Sequence, residues 1–158
     1  MTLEEALLQK LAEWRFDNGP RTLTLPHPES GCSAVVKAEC SDRVGCQVWD
    51  LNLTRTEAAA SSADLKTRAQ RTADRATGLR EPLRLIEVDA GRDTALLRSA
   101  APQKRGDDLF YYEVELKTGG AGVRRYQAST TGGTRKQIAF PLTHETLAKL
   151  AGDLTADV

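Results

Sequence analysis

Residues 109–117, Leu-Phe-Tyr-Tyr-Glu-Val-Glu-Leu-Lys, put Phe110, Tyr112, Val114 and Leu116 on one side and Tyr111, Glu113 and Glu115 on the other. That period of two is the signature of a strand buried on one face, so the chain has to supply a sheet with one covered side. Two earlier segments carry the same period. Over 32–40, Cys32, Ala34, Val36, Ala38 and Cys40 share a face opposite Lys37 and Glu39; over 46–53, Trp49, Leu51 and Leu53 share one. The tight polar link Ser41-Asp42-Arg43 makes these two a hairpin. Residues 22–25, hemmed by Pro20, Pro26 and Pro28, suit a sheet edge, where a missing N–H is tolerated. Further strands are predicted over 83–88, 94–98, 123–130 (Tyr126 and Ala128 inward) and 137–140, joined as a meander through the polar turns 89–93, 118–122 and 131–134.

Helices frame these runs. Thr2 and Glu5 have capping-box spacing, Leu3, Leu7, Leu11 and Trp14 recur on one helical face, and Asn18-Gly19-Pro20 is a stop. At the other end Thr143 is a cap, Leu142 and Leu147 form a hydrophobic staple, and Leu147, Leu150, Ala151 and Leu154 make a stripe. Between them lies an Ala/Arg-rich helix within 56–78, capped by Thr56 or Ser62 and ended at Gly78. Its stripe of Leu65, Ala69, Ala73 and Ala76 is thin, and Asp64 and Arg68 are spaced for an exposed ion pair. Alanine favours the helix but buries little, so this element is expected to be weakly anchored and partly mobile. The resulting class is α+β, one domain over 1–158, with an antiparallel sheet or sheets in the order helix, three strands, helix, about five strands, helix. Leu7, Leu11, Trp14, Trp49, Tyr112, Val114, Tyr126 and Leu150 are expected in one core cluster.

Charge narrows the partners. The 22 basic residues balance 22 acidic ones, which argues against an overall footprint for nucleic acid or acidic membrane. No apolar run approaches the roughly 20 residues of a spanning helix, and the first ten residues, MTLEEALLQK, are acidic and amphipathic rather than signal-like. A cytoplasmic location is the expectation. The three cysteines, Cys32, Cys40 and Cys46, lack Cys-x-x-Cys spacing, so reduced thiols are expected, with no disulfide, metal or cofactor. If residues 41–45 form the hairpin loop, Cys40 and Cys46 could face each other across the two strands.

Each candidate for chemistry has a structural explanation. His27 between prolines and His144 in a first helical turn suit surface or capping roles, although a His27–Cys32 pair would suit a thiol hydrolase. Glu113 and Glu115 point the same way about 7 Å apart, and a return strand pairing Glu115 with Arg125 and Glu113 with Gln127 neutralises them. The glycine-rich stretch 130–136 runs from strand to strand, so it is a hairpin turn rather than a phosphate loop. Lys66, Arg68, Arg71, Arg75, Arg80 and Arg84, with Arg124, Arg125, Arg135 and Lys136, are candidates for a positive face; with only eight aromatics, base-stacking readers are scarce.

A non-catalytic protein-binding domain, self-associating or adaptor-like, therefore ranks first, with Leu65, Ala69, Arg71, Arg75, Arg124 and Arg125 as its binding residues and another protein or a second copy as partner. The element order is similar to that of type III secretion chaperones, small dimers that hold an unfolded client, over about two-thirds of the chain. The additional strands and the neutral charge depart from that family, whose members are acidic. A nucleic-acid or anion-binding module using the basic residues of 66–84 ranks second, and a Cys/His hydrolase third. On the leading reading, Ala69→Leu leaves the monomer's stability nearly unchanged and disturbs association.

Overall fold

The capping box at Thr2 forms as its spacing demands: the Glu5 amide donates to the Thr2 hydroxyl at 3.1 Å and the Thr2 amide to the Glu5 carboxylate at 2.8 Å. Helix α1 (Leu3–Glu13) buries Leu3, Leu7 and Leu11. It ends earlier than Asn18-Gly19-Pro20 suggests, because Phe16 is already extended and exchanges both backbone hydrogen bonds with Ser41 (3.0 and 2.9 Å). The computed structural model describes residues 1–56, 64–156 and 158. Ser62, one of the two expected caps, lies outside them.

After α1 the chain builds β1 (Arg21–His27), β2 (Cys32–Ser41) and β3 (Gly45–Arg55), then α2 (Leu65–Arg75). Strands β4 (Leu83–Asp89), β5 (Thr94–Ser99), β6 (Gln103–Arg105), β7 (Asp108–Lys117), β8 (Gly120–Ser129), β9 (Lys136–Ile138) and β10 (Phe140–Thr143) follow, and α3 (His144–Thr155) closes the fold. Helix α2 is capped by Asp64, whose carboxylate accepts the Thr67 amide at 2.7 Å, whereas Thr56 instead ties the end of β3 to the Gly31 carbonyl.

All strands pair antiparallel in one sheet with the path β1-β2-β3-β8-β7-β5-β4. The first half is a meander from an edge to the centre. Beyond α2 the chain continues at the far edge and meanders back, so that β8 arrives against β3. Near the centre the sheet opens around residues 136–143: β9 pairs with β8 on one side and β10 with β3 on the other. Gly45 permits this, since a Cβ there would stand 2.5 Å from the Leu142 carbonyl oxygen.

The helices cover one face. Facing them, Ala34, Val36, Val48, Leu51, Leu53, Leu97, Tyr112, Val114, Leu116 and Val123 join Leu7, Leu11, Leu147, Leu150 and Leu154 in one buried cluster. Trp14 packs against its border. Two expected members, Trp49 and Tyr126, lie on the opposite face. A β-bulge explains Trp49: Lys37 pairs with Asp50 and Ala38 with Val48, so Trp49 is an extra residue that the ladder skips. Register explains Tyr126, as the turn at Thr118-Gly119 (Gly119 φ +76°) sets Lys117 opposite Gly120, and hence Tyr126 opposite outward-facing Tyr111.

Helix α2 packs against the sheet. Leu65, Ala69, Thr72 and Ala76 face the sheet. Arg68, expected in an exposed ion pair, turns inward and donates to the carbonyls of Lys117 (2.6 Å) and Gly120 (2.8 Å), clamping the helix to the β7–β8 turn.

Candidate functional site

The sheet face away from the helices carries the aromatic and charged residues that the core leaves out. Tyr111 on β7, only 9% exposed, and half-buried Tyr126 on β8 are cross-strand neighbours with ring centroids 6.0 Å apart. The Arg135 guanidinium lies 3.8 Å from the Tyr126 ring centroid and that of Arg98 lies 5.1 Å from the Tyr111 centroid. Both arginines converge on the Glu113 carboxylate: Arg98 donates at 3.0 and 3.2 Å, and Arg135 adds a short ion pair. Glu113 anchors the cluster, because a carboxylate shared by two guanidiniums fixes both over their rings. That shared pair also raises the already high pKa of Arg135, so its charge is permanent. Trp49 borders a separate recess with Pro20, Lys37 and Glu39, and its backbone carbonyl accepts from the Gln137 side chain at 2.9 Å. Asn52, Glu115 and Arg124 line a shallow depression of about 320 Å³ beside Tyr126.

This register differs from the expected one. Glu113 lies opposite Arg124 and Glu115 opposite Gly122, while Arg125 lies opposite Tyr112. Consecutive strand residues point to opposite faces, so Arg124 and Arg125 are separated by the sheet. Arg125 is only 5% exposed, on the helix side, where it donates to Glu81 at 2.9 Å and stacks 4.2 Å from the Tyr112 centroid.

The other binding residues named from sequence also scatter. Leu65 and Ala69 are packed inward on α2, Arg71 is exposed on its outer side, and Arg75 reaches the Ala156 carbonyl at 3.5 Å. Arg68 is buried and Arg84 sits opposite Arg98 in the β4–β5 pairing. The basic residues of 66–84 thus form no continuous positive surface. What sequence reasoning missed is the Tyr111–Tyr126–Arg135 cluster; strict alternation placed Tyr111 outward, but nothing local announced that Arg135 and Arg98 would converge there.

The thiol-hydrolase reading can be tested by geometry. His27 and Cys32 are opposite in the β1–β2 pairing. Both imidazole nitrogens are engaged, however, Nδ1 with the Ser30 hydroxyl at 2.9 Å and Nε2 with the Met1 carbonyl at 3.0 Å. A different grouping appears at the foot of an open cleft of about 980 Å³ bordered by Arg15, Asp42 and Val44. There the Cys46 thiol donates to the Ser41 hydroxyl (3.2 Å), which lies 3.4 Å from His144 Nε2. All three residues are buried rather than at the surface, contrary to the surface or capping role expected for His144. Burial pushes the Cys46 thiol up and the His144 imidazole down, so both stay neutral. A nucleophilic thiol needs the reverse, a stabilised thiolate beside an imidazolium. The grouping is a chain of buried polar groups satisfying one another. Cys40 does not face Cys46; bulges in this hairpin put it opposite Gln47. All three thiols are free.

The buried imidazole gives a pH dependence. Folded His144 excludes a proton that the unfolded chain binds, so its contribution to stability is complete above the ordinary value of 6.5 and lost as pH falls through the lower folded value. Burial is the main cause; Asp42 opposes it and Arg15 adds to it. The urea midpoint is therefore expected to fall between about pH 7.5 and 5, and His144→Asn is expected to flatten that part of the profile. An unchanged slope in the variant would show that His144 titrates normally.

Among the described residues no group of three or more His, Cys, Asp or Glu side chains is placed to hold a metal ion, and no helix is long and apolar enough to cross a membrane. No model of a known protein family matches the chain, and no curated protein or solved structure shows significant similarity to it. The fold itself defines the class: an α+β domain in which the described helices pack on one face of an antiparallel sheet.

Proposed function

We propose that this chain is a non-catalytic protein-binding module whose contact surface is the sheet face opposite α1, α2 and α3. The observation that supports the reading is the cluster on that face in which Arg98 and Arg135, joined by Glu113, lie over Tyr126 and the largely covered Tyr111. Tyr and Arg are among the residues that anchor protein interfaces, and here the two arginines are held by Glu113 before a partner arrives, which lowers the entropy cost of binding. The sheet edges offer less: β1 contains Pro26, and β4 is bulged at Ile86 and carries Arg84, Glu87 and Asp89. Such edges resist strand addition.

Charge favours a polypeptide over a nucleic acid. Asp50, Glu113 and Glu115 are interleaved with Arg98, Arg124 and Arg135 on the same face, so a polyanion meets repulsion as well as attraction. A partner of mixed charge, another protein or a second copy of the chain, fits better. The apolar stripe of α2 is used within the chain and takes no part in this reading. Free thiols suit a reducing compartment, and the cytoplasm is the location we assign to the module.

The test is positional. A photo-crosslinking amino acid in place of exposed Arg124 is expected to give a protein adduct in cells, and one in place of Gln70, on the outward side of α2, is expected to give none. Adducts from position 70 alone, adducts to nucleic acid, or no adduct from either position would each overturn the proposal. Sedimentation of the purified chain then tells a second copy from a different partner.

A further inference from the structure

On the helix side, at the opposite end of α2 from its Arg68 clamp, a cleft of about 490 Å³ opens between the loop after α2, the β6–β7 hairpin and the start of α3. Three arginines reach it: Arg80 from the loop, Arg105 from the end of β6 and Arg125 from β8. They are far apart in sequence, and only the pairing of β6 with β7 and of β7 with β8 assembles them. Aromatic walls come from Phe110, under the Arg105 guanidinium at 5.6 Å, and from Tyr112, under that of Arg125 at 4.2 Å.

The charge in the cleft is not balanced locally. Glu81 neutralises Arg125 from behind. Among the described residues, neither Arg80 nor Arg105 has a carboxylate partner; Asp108 lies opposite Arg105 in the hairpin register but forms no ion pair with it. Arg125 itself keeps donors in reserve, because its second terminal nitrogen makes only a long 3.4 Å contact with the side-chain amide oxygen (Oε1) of Gln103. Two uncompensated cations, a braced guanidinium and two aromatic walls thus share a recess of the size that small ligands occupy. Guanidinium forks match the paired oxygens of carboxylates and phosphates, and the rings match a flat apolar body.

We propose that this cleft binds a small organic anion, a carboxylate or phosphate monoester carrying a planar apolar group. It is a second site, independent of the sheet face on the other side of the molecule. The isotope-labelled full chain is titrated with phenyl phosphate, benzoate, inorganic phosphate and phenol, and amide shifts are followed by NMR. Saturable shifts at Arg80, Gln103, Phe110 and Tyr112 are expected with phenyl phosphate, benzoate or both, which separates the two anion classes. Inorganic phosphate is expected to bind more weakly and phenol not to compete. The double variant Arg80→Gln, Arg105→Gln, with both changes at exposed positions, is expected to keep the native spectrum elsewhere and weaken binding at least about tenfold. The assignment is overturned if neither aromatic anion saturates by about 10 mM. Equal binding of phenol or of inorganic phosphate overturns it too, as does native affinity in the double variant.

Discussion

Arg125→Met is expected to cost about 3–5 kcal/mol of folding stability, because it leaves the Glu81 carboxylate charged, enclosed and without its ion partner. Glu81 is 7% exposed and its remaining contact is the Ser99 hydroxyl at 3.1 Å. That hydroxyl in turn accepts the Tyr112 amide at 2.8 Å, so the loss spreads into β7. The stacking of Arg125 on Tyr112 disappears as well. For a chain of this length the melting temperature should drop by about 6–20 °C. The double variant Glu81→Leu, Arg125→Met is expected to regain most of the loss, since removing both charges removes the uncompensated one. Urea unfolding with an unchanged m-value checks both, and a single variant within about 1 kcal/mol of the native chain would mean that the carboxylate finds water.

Ala69→Leu is expected to destabilise the monomer by about 1–3 kcal/mol, a fall of about 2–12 °C in melting temperature. Ala69 is 0% exposed on the face of α2 that lies on the sheet, and the three added carbons have no space without moving the helix. Gln70→Leu, one residue on and exposed, should change stability by less than about 0.5 kcal/mol. This reverses what the sequence suggests for Ala69. A thin alanine stripe looks like weak burial, yet small side chains let a helix approach a sheet closely, and the long Arg68 side chain adds backbone carbonyl contacts at the β7–β8 turn. Equal stability of the Ala69 and Gln70 variants would place α2 away from the sheet.

Local chemistry was legible wherever the signal and the structure share a short stretch of chain. Thr2 with Glu5 and Thr143 with Thr146 make caps within one turn, and the alternation in 109–117 and 32–38 reports a covered face irrespective of what covers it. These determined the α+β class and the element order. The tertiary structure decided the rest, because it depends on residues far apart. One bulge residue turned Trp49 to the face opposite the described helices, and one turn at Gly119 sent Tyr126 outward and Arg125 inward, since in a strand a shift of one residue exchanges the faces. No rule of hydrophobic pattern puts an arginine inside and a tyrosine outside. Arg125 is tolerated there because Glu81, 44 residues away, arrives to meet it, and the aromatic cluster exists because Arg98 and Arg135 arrive at Glu113 from either side. Pairings of that kind are settled by how the strands register, and their energy appears only once the chain has closed.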